Sequence, residues 1–558
     1  MRARTRAHVR KSFAGAFAGV FVGLLATALL AGCSDGEVTG GAVTLRGCNP
    51  QRPLIPADTM DSCGSSVLNL SASRLIRYHP QTAAPELDIA ESIDTTDNQR
   101  FTVRLKPDYR FSDGTLVKAR NFVDAWNYAV ANALQTEYFF APIQGYADVV
   151  PPPDPDGQGP LPAPPARSRT MSGLAVIDDR TFTITTTAKV SNLGVRLGSN
   201  AFAPMPDAFF SDPRAFGTKP IGAGPYVVTA WTQNQEIVLA KNPRYSGRFG
   251  GQVDSVTFKV FTGTDAAYNE LVAGNLDVID EIPTSAMAGG QYRQDLPGRH
   301  ASREVGGIQL LVFPPATTDP TYNDPRVRQA ISMAINRDLI VEQIFHGART
   351  PADGWVSPIV NGATRGQCGE FCRYDAAAAR ALLAQAGGVP GGKVSIAYNA
   401  DAAQQDSVTA ICNEITNALG VECTPSPVAD FATFRANIEA RTQRGMLRSA
   451  WGMDYPSIES FLSPLYATGA AANVGEYRDP AFDAKLAQAA AAGTLDEANA
   501  LYREAEAMLK DEMPAIPLWY SKVTYAWSTR VDNVRATPQG FIDVAGITLN
   551  RGPATGSG

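Results

Sequence analysis

Histidine and long apolar runs are both scarce in this chain. Four of its 558 residues are histidine (His8, His79, His300 and His346), and they are widely scattered. This scatter excludes an HExxH zinc motif and any closely spaced set of histidine ligands. Beyond Ala31, no apolar run reaches the roughly 18 residues that a transmembrane helix needs. The sequence therefore predicts no metal site, no cofactor and no spanning helix in the body of the chain.

Beyond the first eleven residues, blocks of basic residues are also lacking. The chain has 49 Lys and Arg against 55 Asp and Glu, a formal net charge of −6, and its basic residues are dispersed. Nucleic-acid binders concentrate positive charge on one face or in one run, so we predict no nucleic-acid partner. Hydrophobic residues make up 44% of the chain. That share is typical of globular proteins, and at this length it predicts at least two domains.

Motifs of nucleophilic enzymes are missing as well. There is no GxSxG elbow and no SxxK pair. A G-x-x-x-x-G-K run ends at Lys393, but Val394 follows where a phosphate-binding loop requires Ser or Thr. We interpret Gly387 and Gly388, at its start, as a helix C-cap. The sequence thus predicts a protein that is not an enzyme, with a secreted hydrolase as a remote alternative.

The first 32 residues have the pattern of a signal peptide, with a basic stretch before an apolar run that ends at Ala31. The sequence Leu30-Ala31-Gly32-Cys33 resembles the lipobox of bacterial lipoproteins. We predict that Cys33 is lipidated and that residues 33–41 tether the protein to the extracytoplasmic face of the cell membrane. The alternative is a plain secreted protein in which this cysteine is incidental.

Six further cysteines follow Cys33. In an oxidising compartment an even number predicts disulfides, and sequence alone leaves many connectivities open. A metal site is disfavoured, because there are no paired CxxC elements and no histidine lies close by. The short separations favour pairing Cys48 with Cys63, Cys368 with Cys372, and Cys412 with Cys423.

Strand and helix patterns alternate along the chain and predict an α/β fold. PYVVTAWTQNQEIVLAKN has the alternation of paired strands, whereas LDEANALYREAEAMLKDE has the spacing of a long helix that stops before Pro514. Pro325 after Asp324 starts another helix. The Pro-rich tract between Val149 and Ser168 is predicted to be an exposed loop. The apolar face of the helix that starts at Pro325 would contain Val327, Ile331, Ile335, Leu339 and Ile340.

Six stretches together resemble one family, the solute-binding proteins of peptide- and nickel-type ABC importers. They occur in the order found in that family and fall within residues 50–545. The stretches are FSDGTLVKARNFVDAW, GAGPYVVTAWTQNQEIVLAKNPRY, ELVAGNLDV, DPRVRQAISMAINRDLI, WGMDYPS and LYREAEAMLKDEMPAIPL. The cysteines Cys48 and Cys63 are similar to those of the actinobacterial branch. The chain is therefore identified as a member of solute-binding family 5, in its actinobacterial lipoprotein branch.

The resemblance implies a two-lobed clamp of the type II periplasmic-binding-protein fold, with mixed β-sheets and an extra inserted subdomain. The strands near 308–313 and 514–519 would act as hinges, and closure would bury the ligand between the lobes. The implied pieces are lobe one (42–75, 201–306 and 516–550), the subdomain inserted in it (76–200) and lobe two (307–515).

The resemblance also implies a function. A monomeric, extracytoplasmic protein would capture short peptides and deliver them to the membrane subunits of an ABC permease. Cargo of another kind (a nickel chelate, an oligosaccharide or haem) is the alternative on the same scaffold.

Asp454 matches the aspartate that receives the peptide α-ammonium in peptide-binding members of the family. A charge-assisted hydrogen bond of this kind stabilises a complex by roughly 1.5–3 kcal/mol, and a peptide amine is cationic near neutral pH. The alternative for Asp454 is a helix N-cap or turn residue, with Trp451 in the core. The other candidate ligand-binding residues are Trp451 and Tyr455 as pocket walls, Arg448 for a C-terminal carboxylate, Gly452, which departs from the enterobacterial pattern, and Tyr138.

Overall fold

The computed structural model describes residues 41–151, 168–402, 404–470 and 472–550. The predicted signal peptide, Cys33 and most of the Pro-rich tract lie outside these residues, so what the sequence indicates for them stays a prediction. Within the described ranges, no helix is long and apolar enough to cross a membrane.

Strands and helices alternate along the described chain. The strands are β1 (Ala42–Gly47), β2 (Ile76–Tyr78), β3 (Pro85–Leu87), β4 (Ala90–Thr95), β5 (Arg100–Leu105), β6 (Leu174–Asp178), β7 (Thr181–Thr185), β8 (Tyr226–Thr232), β9 (Glu236–Lys241), β10 (Ser255–Val260), β11 (Val278–Ile279), β12 (His300–Val312), β13 (Arg349–Pro351), β14 (Lys393–Asn399), β15 (Glu422–Val428), β16 (Met446–Gly452), β17 (Ala515–Trp527), β18 (Val531–Asp532) and β19 (Thr548–Leu549). The α-helices are α1 (Ser62–Ser71), α2 (Ala119–Ala131), α3 (Tyr146–Val149), α4 (Leu193–Arg196), α5 (Asp207–Ser211), α6 (Pro213–Phe216), α7 (Thr264–Val272), α8 (Thr284–Met287), α9 (Gln291–Asp295), α10 (Pro325–Met333), α11 (Arg337–Gln343), α12 (Ala376–Gln385), α13 (Gln405–Leu419), α14 (Phe431–Glu439), α15 (Glu459–Tyr466), α16 (Pro480–Ala490) and α17 (Leu495–Glu512).

One large mixed sheet contains most of these strands. Its strands follow the order β15-β14-β16-β12-β17-β11-β1-β10-β9-β8, with β13 also beside β17. Strand β14 pairs in parallel with β15 and β16, and β1 pairs in parallel with β10 and β11. A separate antiparallel sheet has the order β4-β5-β7-β6. The α/β class with mixed sheets that the sequence predicted is confirmed.

Strands β12 and β17 run along the middle of the large sheet. Each has 13 residues, and they pair in antiparallel fashion from His300 opposite Ala526 to Val312 opposite Ala515. The register shifts between Glu304 and Ile308. Such an interruption bends a strand and increases its local twist. The two segments predicted as hinges lie on these strands.

The hydrophobic side chains are buried in separate clusters. The largest uses residues between 308 and 520, and a second, around the fully buried Trp126, uses residues between 55 and 223. A third combines β1 and α1 with β8 to β10 and with residues of the C-terminal segment. Separate cores of this kind are what a chain divided into lobes requires.

The segment after Asp324 forms two helices, so the single helix predicted there is wrong. Helix α10 ends at Met333, and α11 begins at Arg337 with Asn336 as its N-cap; the Asn336 side chain accepts a hydrogen bond from Leu339 N at 3.1 Å. An asparagine that bonds the local backbone in this way favours a new helix start over a helix interior. Val327, Ile331, Ile335 and Ile340 are buried nonetheless.

The glycines after α12 have the predicted role of a helix terminator. Gly387 and Gly388 both have φ of +82°, the left-handed conformation common just after helix ends. Strand β14 follows them. The order is therefore helix then strand, the reverse of a phosphate-binding loop.

Three disulfides are present, joining Cys48 to Cys63, Cys368 to Cys372, and Cys412 to Cys423. These are the local pairs that the sequence separations favoured. The first ties the segment after β1 to α1, and the third ties α13 to β15.

Candidate functional site

A cavity of about 500 Å³ lies where several distant parts of the chain meet. Its lining comes from the segment around α1 and β2, the turn at 198–201, the segment after β16 and the stretch 537–546. A cavity of this size with a few polar groups is the usual form of a small-molecule site. Its charged lining residues are Arg74, Arg77, Arg248, Asp454 and Asp543.

The backbone on both sides of Asp454 is fixed by hydrogen bonds. Met453 N donates to Gly306 O at 2.7 Å, which joins the end of β16 to the interrupted part of β12. A Cβ on Gly306 would lie 2.3 Å from Met453 Sδ, so a larger residue there would require the Met453 side chain to move. On the other side, Ser460 Oγ donates to Tyr455 O at 3.0 Å. Asp454 is thus held on a short bend between β16 and α15.

The Asp454 carboxylate lines the cavity and has no hydrogen bond or ion pair with any residue that the structure describes. The pKa of Asp454 is raised to about 7, mainly by burial and also by the nearby charge of Glu459, against the opposing effect of Arg196. Asp454 caps no helix, since α15 begins five residues later with Ile458 at its N-cap position. The arrangement suits a carboxylate that receives a cation from outside the chain.

Glu459, five residues further along the chain, has three partners, all on its Oε2 atom. It accepts hydrogen bonds from Tyr455 Oη at 2.5 Å and Asn192 Nδ2 at 3.2 Å, and it forms an ion pair with Arg196 at 3.0 Å. The Arg196 guanidinium also lies over the Tyr455 ring, 5.2 Å from its centroid. Arg196 is therefore already engaged and is not a partner for Asp454.

Trp451 and Tyr455, predicted to wall a side-chain pocket, do not line the cavity. Trp451 Nε1 donates to Ser460 O at 2.8 Å, and the ring packs against the largest hydrophobic cluster. Tyr455 is 6% exposed, and its hydroxyl is bonded to Glu459. Both residues support the segment that carries Asp454.

Tyr138 lies within the electrostatic reach of Asp454. Burial raises the pKa of Tyr138, and the charge of Asp454 contributes to the same shift. The ring is 42% exposed and packs edge-on against Phe139, which lines the cavity. Gly452 is exposed at the end of β16, with open space where a Cβ would stand.

Arg448 lies on β16 opposite Leu311, outside the cavity lining. Its Nε is buried with no hydrogen-bond partner among the described residues. The pKa of Arg448 is lowered to about 10, mainly by burial and also by the neighbouring charge of Arg349. The structure therefore brings Asp454, Tyr138 and Tyr455 together but keeps Arg448 apart from the cavity.

Several cavity residues were not predicted from the sequence, notably Arg74 and Tyr78. Arg74 stands two residues before the strand β2, and nothing in that spacing marks a buried arginine. Glu459 carried a weak signal, because it interrupts the apolar residues Ile458, Phe461 and Leu462. Across the described part of the chain, no group of three acidic, histidine or cysteine side chains is arranged to hold a metal ion.

Comparison with known proteins gives consistent matches over most of the chain. The sequence pattern of the family described as "Bacterial extracellular solute-binding proteins, family 5 Middle" matches residues 84–473. The probable deoxycholate-binding periplasmic protein YgiS of Escherichia coli is 26% identical over 436 residues, covering 76% of this chain and 77% of the relative. The periplasmic oligopeptide-binding protein OppA of the same organism is 25% identical over 452 residues, covering 78% and 79%.

A solved structure gives the same picture at the level of the fold. The Escherichia coli murein tripeptide binding protein MppA superposes with a TM-score of 0.71 at 22% identity, covering 91% of this chain and 98% of the other.

Proposed function

The chain belongs to the bacterial extracellular solute-binding proteins of family 5, and from that premise we propose that it captures short peptides outside the cytoplasm and delivers them to an ABC import permease. The observation that carries the peptide assignment is Asp454, a carboxylate that lines the cavity without a partner in the described structure. The family is one of binding proteins, so no turnover of the ligand is expected.

The ammonium group at the start of a peptide is the cation that Asp454 best fits. It is charged near neutral pH, and it offers three donors in a compact head. Ionisation of Asp454 in the empty cavity is unfavourable, as its raised pKa indicates. A ligand ammonium removes that cost, whereas a ligand without a cation leaves the carboxylate unpaired, so the same residue selects for amines.

In the clamp model, closure of the lobes would form these contacts between Asp454 and the ligand. We propose that lobe two (307–515) and the subdomain 76–200 close on each other, with β12 and β17 as the crossovers. Support comes from contacts across this boundary, where Asn192 and Arg196 meet Glu459 and where Ser191 Oγ donates to Ala489 O at 3.0 Å. A closed form of this kind is what a permease would recognise.

The remaining predictions belong to the same proposal. Arg448, which has no carboxylate partner in the described structure, is proposed to meet the C-terminal carboxylate of longer peptides. Tyr138 and Phe139 would cover the ligand near Asp454. Lipidation of Cys33 would hold the protein, as a monomer, at the outer face of the cell membrane beside its permease.

Thermal unfolding with a mixed pool of short peptides, beside the same pool after N-acetylation, tests the proposal. A ligand that binds the native state raises the unfolding midpoint by mass action. We expect the free pool to raise the midpoint and the acetylated pool to leave it unchanged, with Asp454→Asn abolishing the difference. The exposed Asp496→Asn on α17 is the matched control and should behave like the wild type.

Equal midpoints with both pools and without peptide would contradict the peptide assignment. The search would then turn to oligosaccharides, haem, nickel chelates and bile salts, none of which presents a free ammonium to Asp454.

A further inference from the structure

The arginines of the cavity differ in whether they have acidic partners. Arg77 Nε donates to Asp88 at 3.1 Å, and Arg248 is paired with Glu86. These two arginines are therefore balanced by carboxylates of the chain itself. The third arginine of the lining, Arg74, is different.

Arg74 is a buried guanidinium without a carboxylate partner among the described residues. It is 6% exposed, and its Nη1 donates to the side-chain oxygens of Asn69 and Asn200. Its Nε is buried with no hydrogen-bond partner, and its Nη2 donates to no described residue. The pKa of Arg74 is lowered to about 10, mainly by burial and also by the like charge of Arg77, while Asp88 opposes both effects.

A buried cation in this state is unfavourable until an anion reaches it. The polar neighbours Asn69 and Asn200 fix the guanidinium without neutralising it. The cavity wall at Arg74 thus carries uncompensated positive charge, as the wall at Asp454 carries uncompensated negative charge.

Tyr78 shows that the two charges belong to one compartment. Burial raises the pKa of Tyr78. The charge of Arg74 acts to lower this pKa and the charge of Asp454 acts to raise it, so both charges act on the Tyr78 side chain. Tyr78 Oη itself donates to Val195 O at 2.8 Å, which fixes the ring in the cavity wall. The other carboxylate of the lining, Asp543, accepts a hydrogen bond from Gln81 Nε2 at 3.5 Å.

We propose that Arg74 is a second ligand-binding residue, which binds a carboxylate of the same small ligand whose ammonium is bound by Asp454. The ammonium half of this statement rests on the proposed function. Arginine binds carboxylates through short, charge-assisted hydrogen bonds that are often bidentate. The ligand class is a short zwitterionic peptide held within the cavity, with its carboxylate on Arg74 rather than on Arg448 of β16.

Such a carboxylate has two sources, the C-terminus of a very short peptide or an acidic side chain near its N-terminus. Four probes separate them: Glu-Ala-Ala, Gln-Ala-Ala, Glu-Ala-Ala amide and N-acetyl-Glu-Ala-Ala. Isothermal titration calorimetry would measure each with the wild-type protein, with Arg74→Gln and with the control Arg120→Gln. Arg120 is an exposed arginine of α2 that lies outside the cavity lining.

Either Gln-Ala-Ala or the amide lacks the carboxylate that Arg74 binds. We expect the wild type and the control to bind Glu-Ala-Ala at least about tenfold more tightly than that probe. In Arg74→Gln this preference should shrink to a factor of about two or less. If the wild type binds Gln-Ala-Ala more weakly than Glu-Ala-Ala, the bound carboxylate is the acidic side chain. If it binds the amide more weakly, the bound carboxylate is the C-terminus. Because the readout is a ratio of affinities on one variant, a general loss of stability does not imitate it.

Two results would overturn the inference. One is a wild-type protein that binds all three amine-bearing probes equally while still rejecting the acetylated one; that result leaves the proposed function intact. The other is an undiminished preference for the carboxylate in Arg74→Gln, which places the carboxylate elsewhere. Failure of the wild type to bind any probe would instead contradict the proposed function, and the inference with it.

Discussion

Asp454 and Glu459 are two carboxylates five residues apart that occupy opposite electrostatic situations. Glu459 accepts from Tyr455 and Asn192 and is paired with Arg196, whereas Asp454 has no partner in the described structure and has its pKa raised to about 7. A carboxylate with partners from distant parts of the chain stabilises an arrangement of the protein. A half-buried carboxylate without a partner, such as Asp454, is what we propose as a binding group for a ligand, maintained at a cost in stability.

Removing the Glu459 charge is expected to have the largest effect on stability. Glu459→Ala leaves Arg196 without its buried counter-charge, which should lower the free energy of unfolding by about 3 kcal/mol. Urea denaturation near neutral pH measures this. The control is Glu439→Ala on α14, where an exposed pair with Arg435 at 3.3 Å should contribute less than about 1 kcal/mol. Equal losses of stability in both variants would show that the Glu459 contacts stabilise the fold no more than an exposed ion pair does.

Removing the Asp454 charge should act in the opposite direction on stability and strongly on binding. Asp454→Asn is expected to weaken binding of peptides with a free amine by about 10- to 100-fold. The unliganded variant should be more stable than the wild type at about pH 8, because it no longer ionises a buried group. Calorimetry and urea denaturation measure the two effects. A variant that is less stable and binds normally would assign Asp454 a structural role.

The pH dependence follows from the same raised pKa. Because the pKa of Asp454 in the fold lies above its ordinary value, the group's contribution to stability is fully present below about pH 4 and is lost as the pH rises through about 7. Peptide affinity should change in the opposite direction. Below neutral pH it should fall by up to about tenfold for each unit by which the pH is lowered, because Asp454 becomes protonated. Asp454→Asn should flatten this profile between about pH 5 and 7. A wild-type profile that is flat over that range would contradict the assignment.

Trp451 provides the smallest test. Trp451→Phe keeps the ring that packs on the core but removes the hydrogen bond from Nε1 to Ser460 O. The expected loss is about 1 kcal/mol of stability, with peptide affinity unchanged. Thermal unfolding and calorimetry on the same sample measure both. A large loss of affinity with little loss of stability would return Trp451 to the ligand pocket predicted from the sequence.

The features that the sequence predicted well are local. The helix α17 follows its N-cap Thr494, which forms a capping box with Glu497, and it ends before Pro514. The three disulfides join neighbours in the chain. The sequence does not predict the break between α10 and α11, because the helical spacing of apolar residues continues through it. The Asn336 side chain caps the N-terminus of α11 and so starts a new helix there. Turn chemistry overrode periodicity there.

Among the residues of the candidate site, the sequence singles out Asp454 and gives little or no signal for the others. Asp454 stood out as a charge among aromatic residues that matched a family motif. Asn192, which donates a hydrogen bond to Glu459, lies 267 residues away in the chain. No sequence pattern links such positions. Arg74 was missed because its burial depends on how α1, β2 and the turn at 198–201 assemble. The sequence predicts Trp451 and Tyr455 as walls of the ligand pocket, whereas the fold uses both to support the Asp454 segment.

The central claim is that Asp454 binds a ligand ammonium, and one calorimetric cycle tests it most directly. A single peptide that binds the wild type, and the same peptide N-acetylated, are titrated into the wild type and into Asp454→Asn. We predict that acetylation weakens binding to the wild type by at least about tenfold and changes binding to the variant by a factor of about two or less. Equal sensitivity to acetylation in both proteins would show that the amine is bound by another group and would contradict the account.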